Sequence, residues 1–169
     1  DITEHQYFTM VEAKAGALMG CASQLGALMA TNDQSVIDAF YQCGYKLGVA
    51  FQIRNDILDL WGSTAATTSM PASNVLNKKK PLPVVYALCR GSIKQKRELG
   101  TVYFKRVIER EEMQRVIAVL DEMGAREYTQ KEAERLGREC RDILEKCGIS
   151  STAMADIQSF ADYLVHWEE

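Results

Sequence analysis

The three prolines of this 169-residue chain, Pro71, Pro81 and Pro83, all fall in one short stretch, and their placement constrains the fold more than any other feature. A proline ring clashes with the preceding helical turn and its nitrogen donates no hydrogen bond, so the proline-free arms on either side are open to uninterrupted helices. Apolar spacing agrees. From Glu4 to Ala30, Tyr7, Val11, Leu18, Cys21 and Leu25 recur at helical intervals, which predicts one helix with these residues on its core side. Asn32 and Asp33 are good caps, and a second helix is expected from about Gln34 to Trp61. The stretch Gly62 to Asn77 carries no charge and is rich in Ser, Thr and Ala, so it reads as a loop. It runs into Lys78-Lys79-Lys80-Pro81-Leu82-Pro83, after which a helix from about Pro83 to Cys89 is predicted. Amphipathic helices follow at about Ser92–Tyr103, Glu111–Glu122 and Arg126–Cys147, the last stopped by Gly148. A final helix over about Thr152–Trp167 puts Ile157, Phe160, Ala161 and Leu164 on one face. No run alternates with period two for long enough to make a strand. The expectation is an all-α fold, a single helical domain over residues 1–169.

Charge and cysteine usage narrow the function classes. Lys and Arg total 20 against 23 Asp and Glu, a net charge of −3, which gives neither a basic footprint for nucleic acid nor a polybasic anchor. No apolar run approaches the ~20 residues of a membrane-spanning helix, and no basic-then-apolar leader opens the chain. The five cysteines are odd in number and form no CxxC pair, which argues against a disulfide framework or zinc site and for a cytoplasmic setting. These cysteines, with Met19, Met29 and Met123, are expected in the core. His5 and His166 stand alone near the two ends and suggest no catalytic pair.

The second helix carries the chemistry. Val36, Ile37, Phe40, Leu47, Phe51, Ile57, Leu58 and Trp61 make most of its circumference apolar. Gln52, Asn55, Asp56 and Asp59 nevertheless fall within about 100° of arc on a 3.6-residue wheel. Two carboxylates one turn apart on a buried helix need a positive partner, either a divalent cation such as Mg²⁺ or a Lys or Arg from another helix. Lys14 shares a stripe with Val11, Leu18, Cys21 and Leu25, where it either points inward to an anion or snorkels from the stripe edge. The small residues around it suit close helix packing. The run Lys78 to Lys80 beside a helix start reads as a phosphate-holding cluster or as a solvated surface.

These segments resemble, in order and spacing, the C-terminal half to two-thirds of the trans-isoprenyl diphosphate synthases. Leu47-Gly48-Val49-Ala50-Phe51-Gln52-Ile53-Arg54-Asn55-Asp56-Ile57-Leu58-Asp59 looks like their second aspartate-rich motif, usually GxxFQxxDDxxD. Tyr7 to Leu18, with Lys14-Ala15-Gly16, resembles their Lys-Thr segment. Ala72-Ser73-Asn74-Val75 through Lys79-Lys80-Pro81-Leu82-Pro83-Val84-Val85-Tyr86-Ala87-Leu88 resembles their GSDI…K-x-TLPxVxAL segment. Met123-Gly124-Ala125-Arg126-Glu127-Tyr128 looks like their later GAxxY helix start.

The resemblance implies an isoprenoid-synthase-type helical bundle, here without its N-terminal helices, and a Mg²⁺-dependent prenyltransferase of isoprenoid biosynthesis. Members condense an allylic prenyl diphosphate with isopentenyl diphosphate, and a homodimer or a heteromer with a related subunit is expected. It further implies that Asn55, Asp56 and Asp59 face Mg²⁺, that Lys14 and Lys79 hold the allylic diphosphate, and that Gln52 sits beside the reacting chain, with Lys14, Gln52 and Asp56 catalytic. The departures are local: Asn55 stands where the motif's first Asp is usual, Asn74 where a loop Asp is usual, Ser69 where a loop lysine is usual, and Ala15 in place of Thr. No Asp-Asp pair, and so no first aspartate-rich motif, occurs. Alternatives on the same fold are a terpene cyclase-like enzyme, a noncanonical prenyl transferase, or a non-catalytic regulatory subunit of a heteromeric synthase.

Overall fold

The computed structural model describes residues 2–62, 73–148 and 151–166, and among them every regular element is a helix. Helix α1 (Glu4–Val11) runs through a π-helical segment (Glu12–Gly16) into α2 (Ala17–Ala30), and α3 (Gln34–Trp61), α4 (Ser73–Leu76), α5 (Leu82–Arg90), α6 (Ile93–Phe104), α7 (Arg110–Glu122), α8 (Ala125–Glu145) and α9 (Ser151–His166) follow. Local caps fix several helix ends. The Asp33 carboxylate accepts the Ser35 amide at 2.9 Å at the start of α3. Ser92 forms a capping box with Gln95 ahead of α6. Gly148 adopts φ +65°, a left-handed value that glycine takes freely, just past α8. None of these helices is long and apolar enough to cross a membrane. The expected loop contains the short α4, while its residues 63–72, with Ser69 and Pro71, lie outside the described residues.

The first predicted helix is interrupted in phase. Each π-type i→i+5 turn takes up an extra residue and rotates everything after it relative to what came before. Tyr7 and Val11 are buried as expected, but Leu18 is 71% exposed, and Cys21 and Leu25 are exposed as well. The side of α2 that is buried is carried by Gly20 and Ala27. Met29, expected in the core, is 90% exposed, and Phe160 of α9 is half exposed while Ala161, Leu164 and Val165 form its buried side.

The described residues divide into two compact units, one holding those of Asp1–Tyr7 and Asn55–Gln130, the other those of Phe8–Arg54 and Lys131–Trp167. The core of the first gathers Leu60, Val75, Val84, Leu99, Val116 and Leu120 from α3 to α7. A polar clasp ties its helix ends. The rings of Tyr86 and Tyr128 stack at 4.2 Å, Arg90 lies over both at 5.3 and 5.1 Å, and its guanidinium forks onto Glu4 at 3.0 and 3.3 Å.

The core of the second unit gathers Ala39, Cys43, Leu47, Cys140, Leu144, Ala161 and Leu164 from α3, α8 and α9. Cys43 and Cys140 form a disulfide, which corrects the expectation of none; 97 residues separate them in the chain, so no local spacing announces the pair. Cys21 and Cys89 are exposed thiols rather than core residues. Burial pushes the Glu139 carboxyl up, but its hydrogen bonds to Lys46 and Arg135 outweigh that and hold it below the usual range. In the same unit α2 and α3 approach to backbone contact. A Cβ on Gly48 would stand 2.5 Å from the Ala15 carbonyl oxygen, and one on Gly44 would stand 2.6 Å from that of Met19.

Candidate functional site

A carboxylate on the buried side of a helix must find donors, because its desolvation otherwise costs several kcal/mol. Asp56 of α3 is 4% exposed, and its Oδ2 accepts two hydrogen bonds. One comes from the Tyr7 hydroxyl at 2.6 Å, the other from the Leu82 amide at 2.8 Å. Leu82 opens α5, whose cap residue Pro81 brings no capping side chain. The carboxylate of α3 therefore caps α5, satisfying an amide that the helix leaves unpaired and lying where a helix N-terminus favours negative charge. Burial first, and then the Asp56 charge, push the Tyr7 phenol well above its ordinary range, so it keeps its proton and donates.

Asp59, one turn on, does the same for the neighbouring segment. It is buried and accepts the Asn74 amide at 3.1 Å on Oδ2 and 3.4 Å on Oδ1, at the start of α4. The chain then turns: the Lys78 amide bonds to the Val75 carbonyl and the Lys79 amide to the Asn74 carbonyl, each at 2.8 Å. The Tyr103 hydroxyl donates to the Lys79 carbonyl at 3.1 Å. Its phenol is raised by burial and by the charge of Asp59. Lys78 and Lys79 are exposed and Lys80 half-buried, so the turn shows its cations while its backbone is pinned.

Lys78 has φ +58°, left-handed backbone on a residue with a Cβ. That geometry costs an L-residue about 1 kcal/mol or more, and glycine adopts it without penalty. Lys78→Gly should therefore match or exceed the parent in stability by up to about 1 kcal/mol, whereas the β-branched Lys78→Val should lose at least about 1 kcal/mol. Urea midpoints measure both, and a Gly variant less stable than the Val variant would refute the assignment.

The remaining expected site residues fall as follows. Asn55, in the first unit, is half-buried and immediately precedes Asp56. In the second unit Lys14 lies in the π-helical segment and donates from Nζ to Gln52 Oε1 at 3.2 Å. Lys14 is exposed, so its stripe with Leu18 and Leu25 is a surface rather than a core stripe, for the phase reason given above. Two of the donors to Asp56, a phenol and a backbone amide, are ones that the sequence did not announce. Tyr7 and Tyr103 had no signal of this kind, because a tyrosine at helical spacing reads as packing and its hydroxyl partner lies far away in the chain.

Among the described residues no group of three His, Cys, Asp or Glu is arranged to hold a metal ion. The donors on this stretch of α3 are all oxygens, from Asn55, Asp56 and Asp59. That set does not make a protein cage for a cation. It suits a hard cation that takes one or two protein oxygens and completes its shell with phosphate oxygens and water, as Mg²⁺ does.

Residues 1–120 match the polyprenyl synthetase family. Over 98% of this chain the sequence is 28% identical to a (2E,6E)-farnesyl diphosphate synthase of Mycobacterium tuberculosis, covering 47% of that protein. Over 99% it is 30% identical to a short chain isoprenyl diphosphate synthase of Methanothermobacter thermautotrophicus, covering 51% of it. A polyprenyl synthetase structure from Streptomyces coelicolor superposes with a TM-score of 0.87 at 30% identity, over 96% of this chain and 50% of that one. A polyprenyl synthase structure from Caulobacter crescentus gives a TM-score of 0.92 at 22% identity, over 100% of this chain and 51% of that one, and so likens the fold. The chain spans about half the length of the curated relatives it matches.

Proposed function

The chain belongs to the polyprenyl synthetase family, and from that membership we propose that it serves a Mg²⁺-dependent prenyltransferase reaction of isoprenoid biosynthesis, taking an allylic prenyl diphosphate and isopentenyl diphosphate. The observation that carries this reading is the lysine turn at 78–80. Its backbone hangs from the aspartates of α3 at both ends, through Asn74 and Leu82, while the Lys78 and Lys79 side chains stay exposed. A cationic turn with a fixed backbone is suited to a multiply charged anion such as a diphosphate.

In this reading Lys79 and Lys14 bind diphosphate, Gln52 orients beside the reacting chain, and Asn55 and Asp59 lie on the Mg²⁺ side of α3. Bound Mg²⁺ would supply the charge that stabilises the departing diphosphate. The neutral amide of Asn55, where the family's motif usually has a carboxylate, would weaken that side. A cytoplasmic setting and a homodimer or a heteromer with a related subunit complete the proposal.

The test incubates the protein, any copurifying partner retained, with Mg²⁺, labelled isopentenyl diphosphate and five-, ten- or fifteen-carbon allylic diphosphates. Longer prenyl diphosphates are the expected products, and Lys79→Met should lower their yield by about tenfold or more, the scale of one lost charge-assisted contact. Hydrocarbon or alcohol formed from the allylic substrate alone would point to a cyclase-like enzyme instead. No turnover, together with no binding of inorganic pyrophosphate, would overturn the enzymatic reading in favour of a regulatory subunit.

A further inference from the structure

Resting on the diphosphate reading above, we propose that Asp56 is a positioning residue, acting with Tyr7 through the Leu82 amide to place the lysine turn, rather than a group that itself touches substrate or cation. The geometry argues for this division of labour on α3. Asp56 is buried, and one of its two oxygens already receives both a phenol at 2.6 Å and a backbone amide at 2.8 Å. A carboxylate oxygen with two donors at those distances is well satisfied where it stands.

The anchored amide lies just beyond Lys80, so any slip of Leu82 is passed directly to the lysines. The two prolines leave no local means of holding it: Pro81 has neither an amide proton nor a capping group, and Pro83 has no amide proton. Tyr7 completes the arrangement by binding the carboxylate from α1, whose first turn is itself fastened to Arg90 of α5 through Glu4. The other end of the turn is held independently, by Asp59 on the Asn74 amide and by Tyr103 on the Lys79 carbonyl.

An anchor and a cation ligand respond differently to the loss of charge. The amide oxygen of Asn accepts the same two hydrogen bonds as the carboxylate, so Asp56→Asn should keep the affinity for inorganic pyrophosphate in Mg²⁺ within about threefold, whereas Asp56→Ala should lose about tenfold or more. Tyr7→Phe should lose affinity in the parent and lose nothing further in the Asp56→Ala background. Amide exchange gives a readout that does not depend on pyrophosphate. Leu82 lies between two residues without amide protons, and its exchange should quicken by about tenfold in Asp56→Ala and clearly less in Asp56→Asn.

Asp56→Asn falling as far as Asp56→Ala, with Leu82 exchange unchanged, would overturn the proposal and make Asp56 a direct ligand. If the parent protein binds no pyrophosphate, the functional reading fails, and the exchange at Leu82 alone then decides whether Asp56 holds the turn.

Discussion

Asp56→Ala is expected to lower the free energy of unfolding by about 2–6 kcal/mol, because it strands two donors at once. Tyr7 is 1% exposed, and neither its hydroxyl nor the Leu82 amide has water at hand to replace the carboxylate. A buried donor without an acceptor costs about 1–3 kcal/mol, which two such groups bring to the stated range. The small void left by the side chain adds to the loss. Asp56→Asn keeps an oxygen in place and should cost less than about half as much, and Tyr7→Phe, which removes one donor cleanly, about 1 kcal/mol. Urea denaturation ranks the three. An Asp56→Ala protein within about 0.5 kcal/mol of the parent would show that the Tyr7–Asp56–Leu82 bonds contribute nothing to the fold.

Gly48→Ala should be the next most damaging change, by about 2–3 kcal/mol, and should lower Tm by about 4–12 °C. The added methyl would stand 2.5 Å from the carbonyl oxygen of Ala15, 2.9 Å from its carbonyl carbon and 3.1 Å from the Cα of Gly16. All three are backbone atoms, so no side chain can swing aside, and relief requires the π-helical segment and α3 to separate. Ala15 follows Lys14, so the same displacement should also disturb the Lys14–Gln52 contact. Gly26 is the control. It lies within α2, and a Cβ there meets nothing within 4 Å, so Gly26→Ala should stabilise by about 0.5–1 kcal/mol through backbone entropy alone. Calorimetric melting of both variants measures the contrast, and equal Tm values would disprove the close approach of the two helices.

Much of the fold was legible because its causes are local. Proline confined to residues 71–83, the Asp33 and Ser92 caps, the Gly148 stop and 3.6-residue periodicity act within a few residues, and they set the helices nearly where they are found. The candidate site was legible as a list of residue types on one face of α3, since wheel position follows from spacing alone. Its wiring was not. The phase of α2 turns on five π-helical residues, a shift of hydrogen-bond partner that apolar spacing does not encode. The partners of Asp56 lie 49 and 26 residues away, and Cys43 meets Cys140 across 97. The chain's own residues thus determined which segments are helical and which of them carry charge on an apolar background. Only the tertiary structure decided which donor each buried carboxylate takes, because desolvation requires that a partner be found and packing alone brings that partner within reach.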